Sequence, residues 1–403
     1  MIYTLPSPEI IDQKVLEIIL AQQKILQNNM LGQPRRWVGS LRRSAMARAI
    51  RGSNSIEGYH ATMDQAVAAI QNEPPSEYTD TWLATKGYRD ALTYILQASS
   101  DPHFEFSKQF LKSLHFMIIG HEMEKNPGKW RTGSIFVVNQ QTAETVYEGP
   151  PPEIVNDLIE ELVESLKTTE IVWAPLQGAM AHLNLTMIHP FKDGNGRMAR
   201  ALQSLVIARA GMTDPILCSI EEWLGENTQD YYKVLAEIGQ GKWSPQNNSL
   251  PWIRFCLKAH YQQAQRLIRR HQEYSEIYDK VHKLVLDHKL NDRCEMPLFD
   301  ACIGLTITNT RYRSDSGITE YVASRDLKKI SELGLLDPIG DGRGRAYRAG
   351  SALKEIRQKT RSDRKVDDPY ALAEAQIRKL SIGASASQLV LPLEPPPPFA
   401  PEA

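Results

Sequence analysis

The sequence is poor in cysteine: only Cys218, Cys256, Cys294 and Cys302 among 403 residues, with no C-x-x-C pair. That excludes a disulfide framework and a cysteine zinc site, and reads as reduced, buried thiols in a cytoplasmic chain. An excess of either charge is missing too. Lys and Arg number 47 against 48 Asp and Glu, a formal net charge of -1. Global charge therefore points to neither nucleic acid nor a membrane surface. No apolar run approaches the ~18 residues of a membrane span. The start, Met1 to Pro6 followed by Glu9, Asp12 and Lys14, lacks the basic-then-apolar order of a signal peptide. No G-x-x-x-x-G-K-[ST] loop and no solenoid repeat occurs. What remains is 42% hydrophobic and 24% charged residues over a length that suits two or three domains. The expectation is a soluble, intracellular globular protein.

Helical periodicity dominates the chain. Leu16, Ile19 and Leu20 open an amphipathic helix, and Leu41 to Ile50 continues the pattern after a Gly32-Gln33-Pro34 break. Ser107 is placed to cap a helix carrying Phe110, Leu111, Leu114, Phe116 and Met117. Then the period changes: a Pro127–Thr132 turn, a β-branched and aromatic run from Ser134 to Val138, and a stop at Gly149-Pro150-Pro151-Pro152 predict a short hairpin. Ile154, Leu158, Leu162 and Leu166 predict a helix whose other face is acidic and solvated. Leu176, Met180, Leu183 and Met187 give another, ending at His189-Pro190. A further helix starts near Arg197, with Met198, Leu202, Leu205 and Val206 inward. Beyond the polar loop from Ser244 to Ser249, one helix spans Trp252 to Arg269 and another runs from Tyr274 towards Leu290.

The informative string is His189-Pro190-Phe191-Lys192-Asp193-Gly194-Asn195-Gly196-Arg197-Met198-Ala199-Arg200. Gly194 and Gly196 free the backbone to turn several N–H groups towards one point. A helix beginning at Arg197 adds its N-terminal amides and dipole, which favour an anion. Arg197 and Arg200 share roughly one helical face and can both reach phosphates. Asp193 is placed to hold a magnesium ion on phosphate oxygens. His189 is a proton acceptor for an incoming hydroxyl. Blander readings stand beside these. A His before Pro is commonly a helix-end residue, and Gly-Asn-Gly is a turn signal. Gly194-x-Gly196-x-x-Ala199 fits a dinucleotide fingerprint as well, but that needs a preceding strand, whereas Leu176 to Met187 has a helical period. His182 and His189, seven apart, do not have zinc-helix spacing.

The string resembles the Fic family motif, His-Pro-Phe-x-Asp/Glu-Gly-Asn-Gly-Arg-x-x-Arg, at every specified position. The resemblance implies a mainly α fold: a Fic-type helical core with a short β-hairpin flap that transfers AMP from ATP to a Ser, Thr or Tyr hydroxyl. By that resemblance His189 is the general base and Phe191 packs inward. Asp193 binds magnesium, Gly194, Asn195 and Gly196 form the anion hole, and Arg197 and Arg200 hold the outer phosphates. The related Doc proteins carry lysine in place of the second glycine and act as kinases, so Gly196 favours AMP transfer. Gly128 to Thr132 and the strand Ile135, Phe136, Val137 and Val138 resemble the flap that presents a target segment by strand addition. A plain surface hairpin is the alternative there. Tyr231 and Tyr232 resemble the pair lining the adenine pocket. Upstream, Ser53-Asn54-Ser55-Ile56-Glu57-Gly58 matches the family's inhibitory pattern, in which the glutamate pairs with the second arginine, here Arg200. Asn54 and Glu57 also fit a helix capping box.

Near the C-terminus, a helix with Arg325, Lys328 and Lys329 outward and Leu327, Ile330 and Leu333 inward precedes a Gly340–Tyr347 hairpin. This resembles a winged helix-turn-helix, a common appendage in the family, and its partner is either DNA or protein. The expected organisation is a 1–100 helical region with the inhibitory helix, a 101–260 catalytic domain and a 261–290 linking helix. A 291–350 winged-helix-like domain and a 351–403 tail, disordered at its Pro-rich end, complete it. The expected small molecules are ATP and Mg2+. The expected partner is a target protein, with no membrane; DNA and a homodimer stay open. Two alternative functions use the same residues: removal of AMP, with Glu57 aligning water, and nucleotide sensing by a DNA-binding regulator.

Overall fold

The computed structural model describes residues 1–31, 36–138, 145–167, 171–212, 214–342, 345–362 and 366–383. The 32–34 break, part of the 340–347 hairpin and the Pro-rich end lie outside the described residues. Helices α1 (Ile10–Leu31), α2 (Arg36–Ile56), α3 (Met63–Ile70), α4 (Asp80–Ser100) and α5 (Lys108–Ile119) form the first part. Strands β1 (Phe136–Val138) and β2 (Thr145–Glu148) follow, then α6 (Val155–Ser165), α7 (Ala174–Ile188) and α8 (Asn195–Arg209). Short helices α9 (Pro215–Cys218) and α10 (Glu221–Glu226) lead to α11 (Thr228–Gly239) and α12 (Leu250–Asp287). The chain is mainly helical, as its periodicity predicts.

Local chemistry explains several boundaries. The Ser107 hydroxyl accepts the Phe110 N–H at 3.0 Å and starts α5, as expected. Helix α7 is apolar almost all round and is accordingly buried on nearly every side, packed against α8. His189 ends it in the left-handed conformation at φ 49°, and Gly194 at φ 75° starts α8. A stretch of backbone between two helix ends, both with positive φ, thus forms the only connection between the two central helices.

Three expectations change. The 252–269 and 274–290 helices are one: α12 runs unbroken for 38 residues, about 57 Å at 1.5 Å per residue. The 261–290 stretch is therefore its second half. The 351–403 stretch, expected as a tail, carries helices α16 (Ser351–Thr360) and α17 (Pro369–Gly383) before its Pro-rich end, the latter against α1 and α12. Leu333 is not inward; α15 ends at Glu332, and Leu333 is 39% exposed at its C-cap.

The C-terminal region holds α13 (Glu295–Cys302), β3 (Ile307–Thr308), α14 (Asn309–Ser316), α15 (Glu320–Glu332), β4 (Leu336–Ile339) and β5 (Ala346–Ala349). Its strands form an antiparallel sheet in the order β3-β5-β4. This region shares a hydrophobic core with α2: Trp37 and Leu41 cluster with Leu298, Phe299, Leu327 and Ile330. Ser40 donates to Asp300 at 2.8 Å beneath that contact. All four cysteines are free and buried. Among the described residues no helix is long and apolar enough to cross a membrane.

Candidate active site

The loop from His189 to Gly194 is braced by its own side chains. Asn195 folds back so that its Oδ1 accepts the Phe191 N–H and its Nδ2 donates to the Phe191 carbonyl, both at 3.0 Å. Its amide is consumed there, so Asn195 can offer a nucleotide only its backbone. Phe191 is fully buried, flat against the His115 ring at 3.7 Å between centroids and 1° between planes. Gly194 has no room for a side chain: a Cβ would stand 2.6 Å from Ile119.

His189 is partly buried. Its Nδ1 lies 3.2 Å from the Thr186 carbonyl oxygen. A carbonyl only accepts, so Nδ1 carries the hydrogen and Nε2 keeps its lone pair. Burial holds the imidazole pKa below its ordinary value, which keeps the ring neutral. This is the protonation state a general base needs.

Asp193 faces Lys125 across 3.1 Å and accepts the N–H of Gly194. Burial pushes its carboxyl pKa up, but the Gly194 N–H and Lys125 outweigh burial and hold it below the usual range. It is therefore an ionised hard-oxygen donor. Among the described residues no cluster of three His, Cys, Asp or Glu could hold a metal. One carboxylate fits an ion that takes most of its ligands from phosphates and water, as Mg2+ does, and does not fit a protein-caged ion.

Arg197 and Arg200 are each 1% exposed. The Arg197 guanidinium lies 5.3 Å from the Tyr59 ring, and its Nε and Nη1 lack hydrogen-bond partners. Arg200 is engaged: Nε donates to the Ser53 hydroxyl at 2.8 Å, and Nη2 to the Ser53 carbonyl at 3.0 Å and to Glu57 Oε1 at 2.6 Å. Burial lowers the Arg200 pKa, but Glu57 more than reverses that. Gly196 makes room for the pair, since a Cβ there would stand 2.5 Å from Glu57 Oε1. The capping-box alternative fails. Asn54 lies in the last turn of α2, fully buried, with neither side-chain polar atom partnered.

The tyrosine pair splits. Tyr231 is 1% exposed and its hydroxyl meets His182 Nε2 at 3.0 Å, so it belongs to the core and cannot line an open adenine pocket as expected. Tyr232 is 48% exposed and donates to the Ile56 carbonyl at 3.2 Å, beside Glu57.

At the flap, β1 pairs with β2 as Phe136↔Glu148, Val137↔Tyr147 and Val138↔Thr145, with Ile135 just before the strand. The other edge of β2 is covered, because Glu148 bonds to Gly241 and Trp243. Among the described residues β1 is thus the open edge, with Phe136 49% and Val138 47% exposed. Arg131 anchors the hairpin to the loop. Its Nε donates to the His189 carbonyl at 2.8 Å, and its own N–H to that of Pro190 at 2.9 Å. Tyr147 adds a hydrogen bond to the Met187 carbonyl at 2.7 Å.

Sequence reasoning did not single out Lys125, Arg131 or His115 as site residues. Lys125 and Arg131 lie far along the chain from their partners; Arg131 falls in the Gly128–Thr132 stretch matched to the flap, but nothing local marks its contact with His189. His115 left one signal, a polar side chain flanked by Leu114 and Phe116 in the apolar last part of α5.

Residues 105–207 match the Fic/DOC family profile. The chain is 26% identical over 210 residues to a protein adenylyltransferase Fic of Nematostella vectensis, covering 51% of this chain and 45% of that one. It is 27% identical over 183 residues to protein adenylyltransferase fic-1 of Caenorhabditis elegans, covering 44% and 32%. It thus spans less than half the length of these relatives. A crystal structure of a Fic family protein from Desulfovibrio desulfuricans G20 superposes with a TM-score of 0.51 at 19% identity, over 84% of this chain and 96% of that one. The structure of Fic-1 from Caenorhabditis elegans gives 0.51 at 22% identity, over 64% and 72%.

Proposed function

Since the chain carries a Fic domain, we propose that it transfers AMP from ATP to a hydroxyl side chain of a protein and that Glu57 inhibits the reaction. The observation carrying this reading is the His189 tautomer: Nδ1–H is committed to Thr186, so Nε2 is left as a proton acceptor. A target hydroxyl oxygen attacks the α-phosphorus of ATP, the bond to the bridging oxygen breaks, and pyrophosphate leaves. The hydroxyl proton passes to Nε2 of His189. Bound Mg2+ would offset charge on the phosphates, and Asp193 is the residue to hold it. The backbone at Gly194 to Gly196 and the two arginines serve the phosphates. The open edge of β1, running Ile135 to Val138, takes the target as an added strand. Of Tyr231 and Tyr232, the exposed Tyr232 is the one left to meet the nucleotide.

The inhibitory contact follows from competition. Glu57 and an outer phosphate are both anions for the single Arg200 guanidinium, and Glu57 holds it here. Labelled ATP supplied to wild type, Glu57→Gly and His189→Ala protein tests the assignment. Label should rise with Glu57→Gly and vanish with His189→Ala.

The C-terminal region supports a second activity. On α15, Ala323, Leu327 and Ile330 are buried while Tyr321, Ser324, Arg325 and Lys328 are exposed, and Arg345 and Arg348 lie on the adjoining hairpin. We read 291–350 as a winged helix-turn-helix that binds duplex DNA through this face. Arg325→Ala with Lys328→Ala should abolish retention of a labelled duplex and flatten its salt dependence. Unchanged retention would leave the region to protein contacts.

A further inference from the structure

His115 lies in α5, outside the 189–200 motif, and is fully buried. The N–H of Gly128 donates to its Nδ1 at 2.9 Å, so that nitrogen must be the acceptor. Its Nε2 then carries the hydrogen and donates to the Asp193 carbonyl, also at 2.9 Å. One neutral imidazole therefore joins the turn opening the flap to the Asp193 end of the loop, beside the links that Arg131 and Trp130 make to His189 and Phe191.

The consequence is geometric. Arg131, three residues after Gly128, holds the flap to the His189 end of the loop. His115 holds the same turn to the Asp193 end. Gly128 adopts φ 74° and Gly194 φ 75°, and both stand against this ring or its helix. A carbonyl fixed by His115 fixes the whole Asp193–Gly194 peptide plane, and with it the Gly194 N–H that donates to the Asp193 carboxylate just before α8. Stacking on Phe191 fixes the ring itself.

We propose that His115 is a positioning residue for AMP transfer, tying the target-presenting flap to the phosphate loop so that hydroxyl and nucleotide meet in register. This rests on the AMP-transfer reading above. A misplacement of ~1 Å can cost ~10²-fold in rate, so the bridge matters even though His115 touches no substrate.

Three substitutions separate its two arms, each made in the Glu57→Gly chain. His115→Asn can keep the acceptor for Gly128 but not the reach to Asp193. His115→Gln can keep the donor to Asp193 but not the acceptor. His115→Phe keeps the stack on Phe191 and neither bond. Three quantities are read: label incorporation, ATP affinity, and amide hydrogen exchange over 126–131 and 189–196 in the ligand-free chain. For His115→Phe we expect faster exchange in both segments and label incorporation lower by about tenfold or more. His115→Asn should loosen 189–196 alone and weaken ATP binding. His115→Gln should loosen 126–131 alone, leaving ATP affinity near the parent while label incorporation falls. Unchanged incorporation in all three, or identical losses in Asn and Gln variants with no split between the segments, overturns the proposal in favour of packing alone. If the Glu57→Gly parent transfers no AMP, the AMP-transfer reading fails, and exchange with ATP affinity still decides the bridge.

Discussion

Glu57 Oε1 stands 2.6 Å from Nη2 of Arg200, and the same nitrogen donates to the Ser53 carbonyl at 3.0 Å. Ser53 in the last turn of α2 and Glu57 just after the helix therefore grip this guanidinium through both side chains and the backbone. A carboxylate–guanidinium pair at such a distance, with the arginine fully buried, gains more than an exposed pair does. An incoming phosphate must match that gain to displace it. Arg200→Ala should consequently fail to activate the protein, since it removes the partner of Glu57 and of the phosphate together. Label incorporation at or below wild type is the expected result.

The pH dependence follows from His189. Its neutral form is the base, and burial moves its pKa below the ordinary value of about 6.5. Activity is present above the folded-state pKa and is lost as pH falls through it. The acid limb of the rate in Glu57→Gly protein should therefore lie below pH ~6.5. A limb centred above that value would assign the titration to another group.

Asp193→Ala removes the carboxylate proposed to hold Mg2+ and, with it, the ion-pair partner of Lys125. We expect label incorporation to need more Mg2+ for half-maximal rate, and ATP affinity to lose its magnesium dependence. An unaltered magnesium titration would take Asp193 out of the site.

Gly194→Ala tests the backbone. The new Cβ would meet Ile119 at 2.6 Å from a residue at φ 75°. Strain of that kind costs ~1–3 kcal/mol, so the Tm should fall while the far-ultraviolet spectrum stays helical. A Tm equal to wild type would contradict the tight contact.

Arg131→Ala removes the arginine's side-chain tie between flap and loop, keeps its backbone bond to Pro190, and leaves the carbonyls of His189, Gly133 and Pro150 without this donor. Transfer to a protein acceptor should drop by about tenfold or more, with ATP affinity unchanged. Equal losses in both would mean that the arginine supports the nucleotide loop directly.

Much of this was legible in the sequence, for reasons that differ by residue. The His189–Arg200 string is local, so its backbone geometry could be read from spacing: a helix end, two glycines, a helix start. The Ser53–Glu57 segment was ambiguous because one pattern serves a helix start and an ion pair. Only the length of α2 decides, by putting Asn54 in its last turn. Tyr231 was misplaced because adjacent helical residues point about 100° apart, and sequence does not say which one faces inward. His115 and Arg131 could not be assigned, since their partners lie 78 and 58 residues away. The two-helix reading of α12 failed where Arg270, His271 and Gln272 interrupt the apolar stripe; Arg270 is not a break but the half-buried partner of the buried Glu222.

The most direct test of the whole account is label incorporation from ATP by wild type, Glu57→Gly and Glu57→Gly/His189→Ala protein at equal concentrations. Release of Arg200 without loss of the base should raise incorporation in Glu57→Gly well above wild type, and removing His189 should abolish it. Incorporation by Glu57→Gly no greater than wild type, or undiminished in the double variant, would contradict the account.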